Sequence, residues 1–431
     1  MKTILTVFAI SLSSLAFAAP PNVVFIIGDD QAYGDYGFMG HPHIKTPHLD
    51  KLARESLVFP QGTVPTSLCR ASLATMVTGL FPHQHLITSN DPPLPADLKG
   101  PAIKDERYLK DRARMVANFE KSPNLAKLLG DRGYVSFQAG KWWEGNACRC
   151  GGFTEAMTHG DPTKGGRHGD EGLKVGREGL KPVFEVLDSA KKDGKPFFLW
   201  YAPMMPHQPH NPPERLFKKY EALHKSKFVT QYWAMCEWFD ETVGDVLTKL
   251  NDMNVTDHTI VIYLHDNGWI QDETKGAFAA KSKRSPYDGG VRTPILVRWP
   301  GKVEHRTSNA LASSIDLVPT ILHAVGAKPT ARMPGVDLLD PAAIGKRDFA
   351  FGEIFEHNAV EVDNPAANLQ YRWVRSAEWK LIVPNRVLVP DGVVELFDVK
   401  NDPKEVKNLA AANPAKVAEL TKRLDACWTG N

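Results

Sequence analysis

Long apolar runs are missing from this chain after its first 18 residues. No later stretch approaches the ~18 apolar residues of a membrane-crossing helix, which argues against a span. Cysteine is scarce, five residues at positions 69, 148, 150, 236 and 427. Cys148 and Cys150 have no second close pair elsewhere, so a structural zinc site is not indicated. An odd count leaves at least one cysteine unpaired or modified, and Cys69 is the candidate. Charge of either sign is not in excess: 52 basic residues face 50 acidic ones, and no polybasic tail is present. That excludes a nucleic-acid footprint and a single-sign steering field. Internal repeats and coiled-coil heptads are absent too.

What is present begins at the N-terminus. Lys2 precedes an apolar run from Ile4 to Leu15, followed by Ala16-Phe17-Ala18. A basic start, a short apolar core and an A-x-A site predict a signal peptide over residues 1–18. No cysteine follows the run, which argues against a lipoprotein anchor. The mature protein is expected to be exported, periplasmic or secreted.

Two stretches suggest where chemistry sits. Residues 22–28, NVVFIIG, read as a strand buried on both faces, hence a central strand of a parallel sheet. The strand runs into Asp29-Asp30, and ligands of open α/β sheets gather at the carboxyl ends of strands. Two adjacent carboxylates need compensation once buried, which a hard cation with oxygen ligands supplies; a solvated acidic turn is the plainer alternative. Residues 259–264, TIVIYL, repeat the pattern and deliver Asp266-Asn267. Two strands that each end in oxygen ligands point to a cation more strongly than either alone.

Cys69 opens an apolar, small-residue run that predicts a helix stopping at Thr78-Gly79. The positive end of a helix favours a negative group, so Cys69 is a candidate nucleophile, against the alternative of a buried small hydrophobe. Residues 134–139 read as a strand ending in Gly140-Lys141-Trp142-Trp143. Residues 195–202 form another buried strand, running into a proline-rich loop with His207 and His210. Histidines on such a loop suit proton transfer or anion binding. The basic loop 275–292 carries Lys281, Lys283 and Arg284. After residues 329–347, rich in proline and glycine, short strands near 349–354, 371–376, 379–383 and 394–398 precede a helix over 414–427. The expected fold is α/β, a large mostly parallel sheet flanked by helices over residues 19–340. A smaller α+β unit with an antiparallel sheet follows over 341–431.

Taken in order, GDD at Asp29-Asp30, the Cys69 helix, GKW at Lys141-Trp142, PHxPH at His207 and His210, and DNG at Asp266-Asn267 form a set. With KxSxYDGGVR (Lys283 to Arg292) and ELFDVKNDPKEVKNLA (Glu395 to Ala410), it resembles the sulfatase family of the alkaline-phosphatase superfamily. The resemblance covers nearly the whole mature chain. It implies a formylglycine made from Cys69 by a maturation enzyme, whose hydrate attacks a sulfate ester and leaves a sulfated intermediate that then releases inorganic sulfate. It also implies one calcium ion (Ca2+) held by Asp29, Asp30, Asp266, Asn267 and the modified Cys69. Lys141 and Lys283 would bind sulfate oxygens, His207 would protonate the leaving alkoxide, and His210 would help bind substrate. The substrate would be a sulfated carbohydrate or an aryl sulfate.

Three positions depart from the family pattern. Ala71 stands for proline and Leu73 for arginine in C-x-P-S-R, and Trp143 stands for the histidine of GKWH. Arg70, on the same helix face as Leu73, is expected to take over the missing positive charge. His83 or His85 is a candidate for the missing histidine. Two rival readings stay open: a phosphate or phosphonate ester hydrolase of the same superfamily, and a non-catalytic binder of sulfated glycans. Substrate choice is expected to lie in the loops 89–122, 159–176 and 355–370, with Trp142, Trp143 and Trp200 available for sugar stacking.

Overall fold

The computed structural model describes residues 19–430, so the predicted signal segment lies outside the described residues. Eight strands form the larger sheet: β1 (Asn22–Gly28), β2 (Leu57–Phe59), β3 (Val135–Gly140), β4 (Glu155–Ala156), β5 (Phe197–Ala202), β6 (Thr259–His265), β7 (Ile295–Arg298) and β8 (Arg306–Thr307). Their spatial order is β4-β3-β5-β1-β6-β7-β2-β8. The run from β4 to β6 is parallel, and β7 pairs antiparallel with both β6 and β2.

All seven residues of β1 are buried. Side chains alternate across a strand. Val23, Phe25 and Ile27 therefore enter one core, while Val24 and Ile26 enter the other. The first core is closed by the helix Cys69–Thr78 and the second by the helix Lys227–Asp252. This two-sided cover explains why the central strands read as unbroken apolar runs. Trimming one such side chain to alanine costs about 2–5 kcal/mol.

A second sheet follows, formed by β9 (Ala350–Phe355), β10 (Leu369–Arg375), β11 (Trp379–Pro384) and β12 (Glu395–Asp398), antiparallel in the order β12-β11-β10-β9. The helix Pro414–Cys427 covers one face through Leu420 and Leu424. The other face, through Trp373, Ile382 and Phe397, joins the core of the large sheet. A buried ion network ties the two units together. Lys380 Nζ lies 2.8 Å from Asp288 Oδ1 and 3.0 Å from Glu405 Oε1, and Arg375 reaches Asp288 at 3.6 Å.

All five cysteines are free thiols. The short strands β2, β4 and β8, with two or three residues each, escape the sequence pattern because so few positions cannot display a period.

Candidate active site

Four parallel strands lie side by side in the order β3-β5-β1-β6, and each leads toward the same rim. β3 delivers Lys141, the loop after β5 delivers His207, β1 delivers Asp29 and Asp30, and β6 delivers Asp266 and Asn267. Gly28 pairs with His265, so the acidic residues that follow them are neighbours. The Asp266 N–H donates to Gly28 O at 2.9 Å. Gly140 is required here. Its φ is +102°, and a Cβ would come within 2.0 Å of Ala202 O. Only glycine lets β3 close on β5 and aim Lys141 at the rim.

The helix Cys69–Thr78 enters from one side, and all ten of its residues are buried. It has no capping side chain of its own at Leu68. Asn90 performs that task from the following loop, accepting from the Arg70 N–H at 2.9 Å. Gly79, at φ +68°, stops the helix in the left-handed conformation as its position predicted.

Cys69 lies in a dense polar cluster. Ligand atoms of Asp29, Asp30, Cys69 and His207 fall within 4.8 Å of one another. Lys141 Nζ sits 2.6 Å from Asp29 Oδ2. Lys283 Nζ bridges Asp30 Oδ1 and Cys69 Sγ, the latter at 3.2 Å. Asn267 Oδ1 lies 3.4 Å from Cys69 Sγ, and Asn267 Nδ2 donates to Asp30 Oδ1 at 2.7 Å. Asp266 Oδ1 accepts the Asp30 N–H at 3.2 Å. Asp30 holds a left-handed backbone, φ +63°, a strained conformation for a non-glycine residue.

The electrostatics follow from burial and counter-charge. Burial works to raise the Asp30 carboxyl, but Lys283, His207 and Lys141 together hold it well below the usual range. Burial and the neighbouring Asp29 push Asp266 well above it. Burial works against the charge of both lysines, yet the carboxylates keep Lys141 and Lys283 firmly protonated. Burial lowers His207, opposed by Asp29. Burial also pushes the Cys69 thiol up to about 12, with the two lysines pulling the other way. Desolvation therefore outweighs the helix end, and Cys69 is a neutral thiol rather than a thiolate.

Whether a cation fits can be read from the carboxylate oxygens. Asp29 Oδ1, Asp30 Oδ2 and Asp266 Oδ2 are buried and accept no hydrogen bond. Buried carboxylate oxygens without donors are costly, and a hard cation is the partner that such an oxygen set takes. Asp29, Asp30, Asp266 and Asn267 thus fit a calcium-type ion.

A cavity of about 260 Å³ opens over this cluster. Asp30, Cys69, Lys141, His207 and Lys283 face it. Each of the three loops expected to set substrate choice reaches it as well, through Asn90, through Arg167 and His168, and through His357. Gln208, Trp269 and Arg284 complete the wall.

Other expected residues lie elsewhere. Arg70 does not face the cavity. Its guanidinium is buried and bidentate on Glu144, 2.7 Å at both contacts, with Met115 Sδ at 3.2 Å. The charge at position 70 is paired there with Glu144. His210 stands behind the cavity wall, its ring against Tyr232 and Trp269. His83 pairs with Glu353 and stacks on Trp428, while His85 is buried on Thr75. His168 lines the cavity beside His207 and His357, its ring 5.0 Å from that of Trp143. Its Nδ1 has no partner, and burial pushes it down to about 3. Trp142 and Trp200 pack on each other in the core, leaving Trp143 and Trp269 to face a ligand.

The comparisons agree with this geometry. The model of the family described as Sulfatase matches residues 21–327, and that described as N-sulphoglucosamine sulphohydrolase, C-terminal, matches residues 276–428. N-acetylgalactosamine-6-sulfatase of Canis lupus familiaris is 29% identical over 389 residues, covering 80% of this chain and 70% of its own. Arylsulfatase A of Homo sapiens is 28% identical over 387 residues, covering 77% and 69%. Among solved structures, Ps i-CgsB superposes with a TM-score of 0.74 at 22% identity, covering 96% of this chain and 94% of its own. A match that spans the acid-bearing strands, the Cys69 helix and the basic loop places the chain in the sulfatase family.

Proposed function

We propose that this enzyme hydrolyses the sulfate ester of a carbohydrate or an aryl alcohol at Cys69, after a maturation enzyme has converted that residue to formylglycine. The observation that carries the reading is the position of Cys69. It opens a fully buried helix, and its sulfur lies against Lys283 and Asn267. A bound calcium ion, held by Asp29, Asp30, Asp266 and Asn267 with residue 69, would polarise the sulfate and favour the ionised nucleophile.

The chain's own residues supply the rest. Lys141 and Lys283 flank residue 69 and would meet the sulfate oxygens, where charge builds as sulfur is attacked. The ester S–O bond breaks, and the leaving alkoxide takes the Nε2 proton of the His207 imidazolium, a charged form that Asp29 and Asp30 favour against burial. His207 Nδ1 is fixed by Gln208 O at 2.7 Å, which leaves Nε2 facing Asp30 at the site. His207→Ala is expected to slow a sugar sulfate roughly 100-fold in kcat. A nitrophenyl sulfate, whose leaving group needs no proton, should lose only a few-fold. Equal losses on both substrates would remove His207 from the acid role.

The reaction is tested by incubating protein matured in its native host with matched aryl sulfate and aryl phosphate, before and after a calcium chelator. Sulfate release should exceed phosphate release, vanish on chelation and return with calcium. Preferential phosphate release would favour the phosphate-ester reading, and saccharide binding without release of either anion would favour the glycan binder.

Among the described residues no helix is long and apolar enough to cross a membrane. We read residues 1–18 as an export signal, which N-terminal sequencing of the protein from the periplasm or the medium would check.

A further inference from the structure

The cations at the site differ in whether they already have a partner. Lys141 is paired with Asp29 and Lys283 with Asp30. Arg167 at the rim is paired with Asp91, Nε to Oδ1 at 2.9 Å, and lies over Trp143 at 4.7 Å. Arg284 is different. It lines the same cavity and is exposed, and among the described residues its guanidinium has neither a carboxylate partner nor a side-chain hydrogen bond.

Arg284 is also held in place. Its backbone has φ +63°, in the left-handed region that a non-glycine residue adopts only at a cost. The Arg284 N–H donates to Ser67 O at 3.0 Å, two residues before Cys69. The preceding residue, Lys283, is locked onto Asp30 and Cys69. The side chain therefore starts from a fixed point beside the reacting centre. His357 lines the same cavity, and its ring contacts Asn358 Oδ1 and, at 3.4 Å, Asn90 Nδ2. Burial lowers His357, opposed by its hydrogen bond to Asn358 and helped by the Arg284 charge. Counted at the rim, Asp91 balances Arg167, and Arg284 is left as an unmet positive charge.

Resting on the sulfate-ester reading above, we propose that Arg284, together with His357, forms a subsite for a second anionic group on the substrate. The scissile sulfate is met deeper, by Lys141 and Lys283. The second group is a sulfate or a carboxylate, because a planar guanidinium binds both through paired N–H donors. The preferred substrate is then a multiply charged saccharide, not a singly sulfated one.

The test uses saccharides in pairs, each singly sulfated member matched with a counterpart carrying one more sulfate or a uronate carboxylate. Binding is measured by calorimetry on the whole protein at fixed ionic strength, for the natural chain, Arg284→Ala and Arg284→Lys. An exposed arginine is a position where substitution leaves the fold intact. In the natural chain at least one doubly charged member should bind about tenfold more tightly than its partner. Arg284→Ala should bring that ratio near one, and Arg284→Lys should keep part of it. A ratio near one throughout in the natural chain, a ratio that survives in Arg284→Ala, or no binding by any member overturns the subsite. Turnover of a plain aryl sulfate is read separately. A protein that binds with the predicted ratio yet releases no sulfate defeats the reaction and keeps the subsite.

Discussion

Cys69→Ala is expected to abolish sulfate release, by roughly 10⁵-fold or more in kcat, the scale seen when a covalent nucleophile is removed. The substitution is close to volume-conserving at a buried position, so the denaturation midpoint should move little. The chemical reason lies in the burial of residue 69. Burial pushes the Cys69 thiol up to about 12, which disfavours the thiolate. An unmodified cysteine at this place is a poor nucleophile, so activity should follow the fraction matured. Mass spectrometry of the peptide ending at Arg70, alongside turnover of the same preparation, checks this directly. Activity in Cys69→Ala, or full activity with an intact thiol, would remove residue 69 from the reaction.

Arg70→Ala and Glu144→Ala each lose about 3–5 kcal/mol of stability, because each leaves a buried charge without its partner. The pair is bidentate and both side chains are almost wholly buried. The double variant Arg70→Met, Glu144→Leu should recover most of the loss, since an apolar pair of similar size needs no compensation. Denaturant midpoints of the three variants measure this. Turnover separates two roles for Arg70. If it anchors the helix Cys69–Thr78 to the segment after β3, activity returns with stability in the double variant. If it supplies charge to the reaction, the double variant folds and remains slow.

The central strands and their acidic ends were legible in the sequence because they are local. Apolar β-branched runs report burial on both faces, and the residue after each run falls at the rim. The order β3-β5-β1-β6 then brings Lys141, His207, Asp29 and Asp266 together without any further signal. Arg70 was harder. Sharing a helix face with Leu73 says where a side chain points only when the helix has one solvent face, and this helix has none. Its charge is settled by Glu144, 74 positions away. Asn90, Arg167, His168 and His357 come from separate loops, and their convergence depends on tertiary contacts that no local pattern records. The glycine-rich 159–176 stretch and its neighbours marked the right regions without marking these residues. Trp142 and Trp143 illustrate the limit at its sharpest, since both are buried in the core and Trp143 of the two also lines the cavity.

The buried ion network between the two sheets bears on how the molecule comes apart. Asp288 and Tyr287 belong to the loop that also carries Lys283, and both are gripped from the smaller unit. Glu405 Oε2 accepts the Asp288 N–H at 2.6 Å, and Glu395 Oε2 accepts the Tyr287 hydroxyl at 2.6 Å. Lys281 Nζ also donates to Glu405 O. Melting the smaller sheet alone would strip Lys380 and Arg375 from the buried Asp288 and open the core that Trp373 and Phe397 close. The two sheets are therefore one cooperative unit. A chain shortened to its first sheet would lose the grip on the segment that presents Lys283, and with it the electropositive wall of the site. On the proposed reading, the last 90 or so residues would act on the site from outside the cavity, through their hold on the loop that carries Lys283.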